Sequence, residues 1–199
     1  MSPYKIYYHG DLGVRIEDGV YEPAEDSLML LEAAVEYRTR RALEIGTGCG
    51  LTAISLSRAG CPFVVGTDIS IEAIKCAAAN VSIYSPGVHL IRCDLFGPVD
   101  IPFELVLFNP PYVPVENANG EEAYWAGGKG GRELIDRFIG GLGQRLSEDG
   151  RALLVHSSLN DLDLTRSIAG KQGFDLEVIN TRPFFFEKLY VVELVRQPA

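Results

Sequence analysis

The chain has 199 residues, 47% of them apolar, enough for one globular domain with a sizeable core. A formal net charge of −9 disfavours tight, unassisted binding to nucleic acid, which needs Lys and Arg to replace counterions, and is compatible with a protein partner or a basic peptide. No apolar run approaches the about 20 residues that span a bilayer, and the start, MSPYKIYYHGDLG, lacks the apolar stretch of a signal peptide. Cys49, Cys61, Cys76 and Cys93 are widely spaced with no CxxC, which points to thiols in a reducing cytoplasm and to no metal site.

Residues 1–20 read as an N-terminal extension. YEPAEDS (21–27) signals a helix start, with Pro23 followed by Glu25 and Asp26 in the first turn, and a helix is expected within 21–40. RALEIG (41–46) is a short apolar strand running into glycines, and LTAISLSRAG (51–60) has helical spacing with Gly60 suited to a cap. FVVGTDI (63–69) is a strand, and Ser70 caps a helix through residue 81. VHLIRCDL (88–95) and ELVLFN (104–109) are the next strands. GGRELIDRFIGGLGQRLSEDG (130–150) reads as mostly helical, weakened by Gly140, Gly141 and Gly143. RALLVHSS (151–158) is a strand, NDLDLTRSIAGKQG (160–173) a helix, and DLEVIN (175–180) and KLYVVELV (188–195) the last strands. The loop TRPFFFE (181–187) is too short for a helical crossover and predicts an antiparallel pair at the sheet edge.

This alternation predicts an α/β fold: a Rossmann-like, mostly parallel seven-stranded sheet with an antiparallel edge strand and helices on both faces, in a single domain over 1–199. Ligands of such sheets bind outside the carboxyl ends of the strands, and Glu44, Asp68, Asp94 and Asn109 all fall at such ends. EIGTGCG (44–50) places Gly46, Gly48 and Gly50 where a ligand can approach the backbone closely. Asp68 is placed to accept both hydroxyls of a ribose, and Asp94 to accept the exocyclic amine of an adenine, with Leu95 giving backbone contact. These features fit an adenine nucleoside. An NAD(P)-dependent oxidoreductase would leave the next motif unexplained, whereas S-adenosylmethionine needs adenosine and amino-acid sites without a pyrophosphate cradle.

That motif is Asn109-Pro110-Pro111-Tyr112. The prolines end the strand and stiffen the loop, since they lack backbone donors and have fixed φ. The loop offers an amide side chain, bare carbonyl oxygens and an aromatic face, which suits a planar NH2 group on a poorly basic amide or aryl amine. Trp125, Gly127 and Gly128 fall in a stretch read as a peptide-recognition loop, and Lys129 and Arg132 are candidates to meet peptide carbonyls. His9, His89 and His156 are isolated, and the Phe184-Phe185-Phe186 run fits core, lid edge or partner surface.

VYEPAEDS, EIGTGCG, TDIS, CDLF and FNPPY together resemble the class I S-adenosylmethionine-dependent methyltransferases of the HemK family, which methylate the side-chain amide nitrogen of glutamine. WAGGKGGRELIDRF (125–138) is similar to the WAGG-x-x-GRE-x-x-DRF block of the archaeal and eukaryotic release-factor glutamine methyltransferases. The resemblance implies that Tyr21, Ser27, Glu44, Gly46, Gly48, Asp68, Ile69, Asp94 and Leu95 line the cofactor site, with 21–40 as a lid helix and 41–199 as the catalytic core. It implies that Asn109 meets both cofactor and substrate, that Asn109, Pro110 and Tyr112 carry the chemistry, and that Pro111 and Trp125 join them in holding substrate. It implies as substrate the glutamine of a release factor's Gly-Gly-Gln motif, and a small zinc-binding activator protein as a partner. The residues ahead of the lid motif are too few for the N-terminal helical domain of the bacterial relatives. Alternatives are a protein lysine methyltransferase, an adenine amino-methyltransferase on DNA or RNA, which needs a flipped base, and a non-catalytic S-adenosylmethionine-binding subunit.

Overall fold

The structure is a computed structural model that describes residues 4–85, 87–113, 131–184 and 187–198. Trp125, Gly127, Gly128, Lys129, Phe185 and Phe186 lie outside the described residues. The chain forms two compact units, Met1–Val99 and Asp100–Ala199.

The first unit opens with a hairpin of β1 (Tyr4–His9) and β2 (Leu12–Glu17). The sequence reading treated this segment only as an extension. The hairpin forms because Gly10, at φ +58°, and Asp11 make a two-residue turn, while Leu12, Val14 and Ile16 alternate inward along LGVRIE. Helix α1 (Glu25–Val35) starts where Pro23 and the acidic turn predict. Strand β3 (Arg41–Ile45), helix α2 (Leu51–Arg58), strand β4 (Phe63–Asp68), helix α3 (Ile71–Tyr84) and strand β5 (Val88–Arg92) then alternate. The three strands are parallel, in the order β5-β4-β3. The buried runs of β3 and β4 are those of strands covered on both faces, while β5, at the sheet edge, is more exposed. Ser70 caps α3 as expected, its Oγ accepting the N–H of Ala73 at 3.1 Å.

In the second unit β6 (Phe103–Phe108) is followed by α4 (Glu133–Leu142), β7 (Leu146–Ser157), a 3-10 turn (Ser158–Asn160), α5 (Leu162–Lys171), β8 (Phe174–Phe184) and β9 (Glu187–Arg196). Two expectations need correction here. The helix read over 130–150 spans only Glu133–Leu142, because Gly143 caps it and Leu146 already pairs with Phe103 in the sheet. The loop read over 181–187 is mostly strand, with Thr181–Phe184 paired to Tyr190–Glu187. The strands lie in the order β6-β7-β9-β8, β6 and β7 parallel, and β9 antiparallel to both β7 and β8. The antiparallel pair sits at the sheet edge as expected, and its reversed member is β9, one place in from β8. Strands β3 to β9 make the seven-stranded, mostly parallel sheet read from the sequence. Among the described residues no helix is long and apolar enough to cross a membrane.

Candidate functional site

In the first unit Glu44, Gly46, Gly48, Asp68, Ile69, Asp94 and Leu95 lie at or just beyond the carboxyl ends of β3, β4 and β5, and Tyr21 and Ser27 at the start of α1. Gly46, Gly48 and Gly50 all have positive φ (69°, 54° and 84°), a backbone that side chains resist, so EIGTGCG can turn sharply from β3 into α2. A Cβ on Gly48 would meet nothing within 4 Å, so open space lies above that backbone. The turn is stitched to its neighbours: Thr47 N–H donates to the Thr67 carbonyl at 2.9 Å, and Gly48 N–H donates to Asp68 Oδ2 at 3.0 Å. Asp68 Oδ1 accepts the N–H of Ser70 at 2.9 Å. The carboxylate thus takes backbone donors on both oxygens, and with about four lone-pair sites in all it keeps accepting capacity for a ligand hydroxyl. Burial pushes the Asp68 carboxyl above its ordinary value, opposed by the backbone donors of Ser70, Gly48 and Ile69.

Glu44 points differently. It is buried, and its Oε2 accepts Thr47 Oγ1 at 2.6 Å and the N–H of Ala53, in the first turn of α2, at 3.1 Å. Burial pushes its carboxyl up to about 7, against the lowering effect of the donors from Thr47, Thr52 and Ala53. Thr47 is a residue the sequence reading passed over. It fits because Gly66 faces it, where a Cβ would come within 2.8 Å of Thr47 Oγ1.

Asp94 lies two residues beyond the end of β5 rather than in the strand, and its side chain is exposed. The turn that carries it is tight: Gly97 N–H donates to the Asp94 carbonyl at 3.0 Å, Leu95 takes φ 48°, and the Leu95 carbonyl accepts Thr67 Oγ1 at 3.0 Å. Ile69 is 67% exposed, an apolar surface next to Asp68. At the start of α1, Tyr21 and Ser27 meet on one carboxylate: Tyr21 Oη donates to both oxygens of Asp26 at 3.2 Å, and Ser27 N–H donates to Asp26 Oδ1 at 2.6 Å. Asp26, the hub of this group, was read from sequence only as a helix-start charge; it is 5% exposed. Asn80 was also missed. Its amide binds both backbone groups of Arg15 in β2 at 2.8 Å and the Cys49 carbonyl in the glycine turn at 2.9 Å, which ties the hairpin to that turn.

In the second unit Asn109 and Tyr112 follow β6 directly. Asn109 is half-buried with Oδ1 shielded from solvent, Pro110 and Tyr112 are buried, and Pro111 is half-buried. The Tyr112 carbonyl accepts Asn160 Nδ2 at 2.7 Å. Arg132, a candidate for peptide carbonyls, turns inward instead: Nη1 donates to the carbonyls of Asn160 and Asp161 and to Thr165 Oγ1, and Nη2 pairs with Asp136 at 2.7 Å. Its guanidinium is committed inside the unit because buried carbonyls there need donors. His156 is buried, its Nε2 2.8 Å from Thr165 Oγ1, and burial with the Arg132 charge lowers it to about 4.

A glycine turn braced by an acidic strand end, and a proline-stiffened Asn-Pro-Pro-Tyr turn after β6, define on this sheet a class I methyltransferase. The family model for the methyltransferase small domain matches residues 22–167. A putative protein N5-glutamine methyltransferase of Methanocaldococcus jannaschii is 35% identical over 92% of this chain and 95% of its own. The methyltransferase HEMK2 of Homo sapiens is 32% identical over 95% of both. Among solved structures, the E. cuniculi Mtq2–Trm112 complex responsible for methylation of the translation termination factor eRF1 has a chain that matches with a TM-score of 0.74 at 26% identity, covering 89% of this chain and 99% of that one. The chain belongs to the HemK-like methyltransferases of the methyltransferase small-domain family. It is an enzyme, and its methyl donor is S-adenosylmethionine. The residues fit that group: open space over Gly48 beside a carboxylate with lone pairs to spare suits a ribose.

Proposed function

We propose that this protein methylates the side-chain amide nitrogen of a glutamine, the one in the Gly-Gly-Gln motif of a peptide chain release factor. The observation that carries the reading is the Asn109–Tyr112 turn at the end of β6, shielded at Asn109 Oδ1 and anchored at the Tyr112 carbonyl. The M. jannaschii relative's name and the eRF1 methylation attributed to the E. cuniculi complex support the choice of a glutamine in a release factor. The chain works as one methyltransferase domain over 1–199, with 1–20 ahead of a lid helix in 21–40 and a core over 41–199.

The cofactor supplies an electrophilic methyl on a sulfonium, so little acid–base chemistry is asked of the protein. Asp68 holds the ribose hydroxyls, Asp94 and Leu95 the adenine, and Tyr21, Ser27, Glu44, Gly46, Gly48 and Ile69 complete that side. Asn109 meets both cofactor and substrate. A carboxamide nitrogen is a poor nucleophile because its lone pair is delocalised into the carbonyl. Asn109 Oδ1 and the Pro110 carbonyl would accept its two N–H groups and so orient the nitrogen toward the methyl donor, whose sulfonium would leave as a neutral thioether once the methyl is given up. Acceptors that favour a tetrahedral over a planar nitrogen stabilise the transition state more than the ground state. Pro111, Tyr112 and Trp125 pack on the amide and its peptide. Once the methyl is transferred the nitrogen is acidic, and its proton leaves to solvent without a strong base.

A small zinc-binding activator subunit and a cytoplasmic location complete the proposal, the first supported by the two-protein assembly of the E. cuniculi structure. Mass spectrometry of a release factor incubated with the enzyme and S-adenosylmethionine tests the function. Gain of one methyl on the Gly-Gly-Gln glutamine is expected. An unmodified glutamine, with the activator present, or methyl groups found on lysine, would overturn it.

A further inference from the structure

Asn160 is fully buried, and every polar atom of its side chain is used. Oδ1 accepts the N–H of Ser157 at 3.1 Å, while Nδ2 donates to the carbonyls of Tyr112 at 2.7 Å and Gly131 at 3.3 Å. Its own carbonyl accepts Arg132 Nη1, which also reaches the Asp161 carbonyl at 3.0 Å and Thr165 Oγ1 at 2.8 Å. Gly131 is shaped for this place. It takes φ +67°, and a Cβ there would stand 2.0 Å from the Tyr112 carbonyl oxygen and 2.3 Å from Asn160 Nδ2. Among side chains, only an amide presents an acceptor and two donors on one plane.

The Asn109–Tyr112 turn has need of such an anchor. Its two prolines stiffen it but remove the N–H groups by which a turn is ordinarily tied to its surroundings. With no N–H at Pro110 or Pro111, the middle of the segment is tied down through its carbonyls and flanking residues, and the Tyr112 carbonyl is the one Asn160 takes. We propose that Asn160, held in turn by Arg132 and fitted by Gly131, is a positioning residue for methyl transfer: it fixes the Tyr112 carbonyl and so the direction in which the turn presents its acceptors to the substrate amide. This rests on the function proposed above. A displacement of about 1 Å in such a grip costs on the order of a hundredfold in rate.

Asn160→Asp keeps the shape but sets a carboxylate oxygen against two carbonyls. Its kcat for glutamine methylation is expected to fall at least tenfold, with the Kd for S-adenosylmethionine, read by calorimetry, within twofold of wild type. Amide hydrogen exchange over residues 103–113 is expected to speed up at least tenfold, with 41–58 unchanged. Ala169→Gly, in α5 but outside this network, serves as the control for lost stability. The proposal is overturned if Asn160→Asp keeps kcat within twofold, if Ala169→Gly at equal loss of Tm lowers kcat as much, or if exchange over 103–113 does not change. Should wild-type enzyme methylate no glutamine, the function falls, and the exchange data still judge the anchor.

Discussion

Asp68 in one unit and Tyr112 in the other are both fixed by hydrogen bonds, but from different distances along the chain. The Asp68 carboxylate is held by Ser70, two residues on, and by Gly48, twenty residues back. Glu44 finds Thr47 and Ala53 three and nine residues away. In the second unit the Tyr112 carbonyl is held by Asn160, 48 residues further on, and Asn160 by Arg132, 28 residues before it. The proposed cofactor side is thus held by donors that belong to the βα turns themselves, mostly backbone N–H groups with Thr47 Oγ1 among them. The proposed acceptor side depends on side chains recruited from farther along the chain. Where local geometry supplies the bonds, motif residues suffice; beside two prolines that bring no N–H of their own, a remote amide donates to the carbonyl that remains.

If that contrast holds, damage to the second unit should strike turnover and damage to the first should strike cofactor affinity. Asn109→Ala is the severest case. It should cut kcat by on the order of a hundred- to thousandfold while calorimetry finds S-adenosylmethionine binding mostly intact; near wild-type turnover would break the contrast. Gly131→Ala should follow, since its Cβ strikes the Tyr112 carbonyl. Backbone strain alone costs about 1–3 kcal/mol there, to be read as a fall in Tm together with lost kcat.

The next test uses the pH dependence of Tm. The folded-state value of Glu44 rises from 4.5 to about 7, so the folded protein binds more protons across that window and the Glu44 contribution to stability is lost as pH rises through it. That of His156 falls from 6.5 to about 4, so the unfolded chain binds more protons and the His156 contribution is lost as pH falls through that window. Between 4.5 and 6.5 the two oppose each other. Each is worth about 3 kcal/mol over its full window. Glu44→Gln should therefore leave a Tm that climbs with pH in this range, and His156→Asn one that declines; flat profiles for both would remove the assignment. The smallest expected effect is Asp68→Asn, which should weaken S-adenosylmethionine binding roughly tenfold, about 1.4 kcal/mol, with kcat at saturation little changed.

Much of the first unit was legible in the sequence because its signals are local. A strand, three glycines and an acid one strand later sit within a short window, and Ser70 announces its helix. The β1–β2 hairpin was legible too, in the alternation of LGVRIE and its Gly-Asp turn, but was passed over as an extension. Asn80 and Asp26 looked like ordinary helix residues, since burial and partners are set by tertiary packing that no periodicity encodes. In the second unit the Asn-Pro-Pro-Tyr segment was readable as the end of a strand, but its support was not. Asn160 looked like a helix start; the cap of α5 is Asp161, and Asn160 faces inward across the unit. Arg132 looked like a surface cation for the same reason, because charge alone does not say which carbonyls surround it. The helix read over 130–150 ran too long because Gln144, Arg145, Leu146 and Glu148 are good helix formers, and pairing of Leu146 with Phe103 outweighs them.

A nascent chain that has emerged only as far as Gly150 already contains every residue of the Asn-Pro-Pro-Tyr turn, yet lacks the residue that ties it down. Closing a segment of 48 residues carries an entropic cost that the flanking strands must meet first. The Asn-Pro-Pro-Tyr segment is thus written early and set late: the bond that fixes its Tyr112 carbonyl forms only after β7 has delivered Asn160.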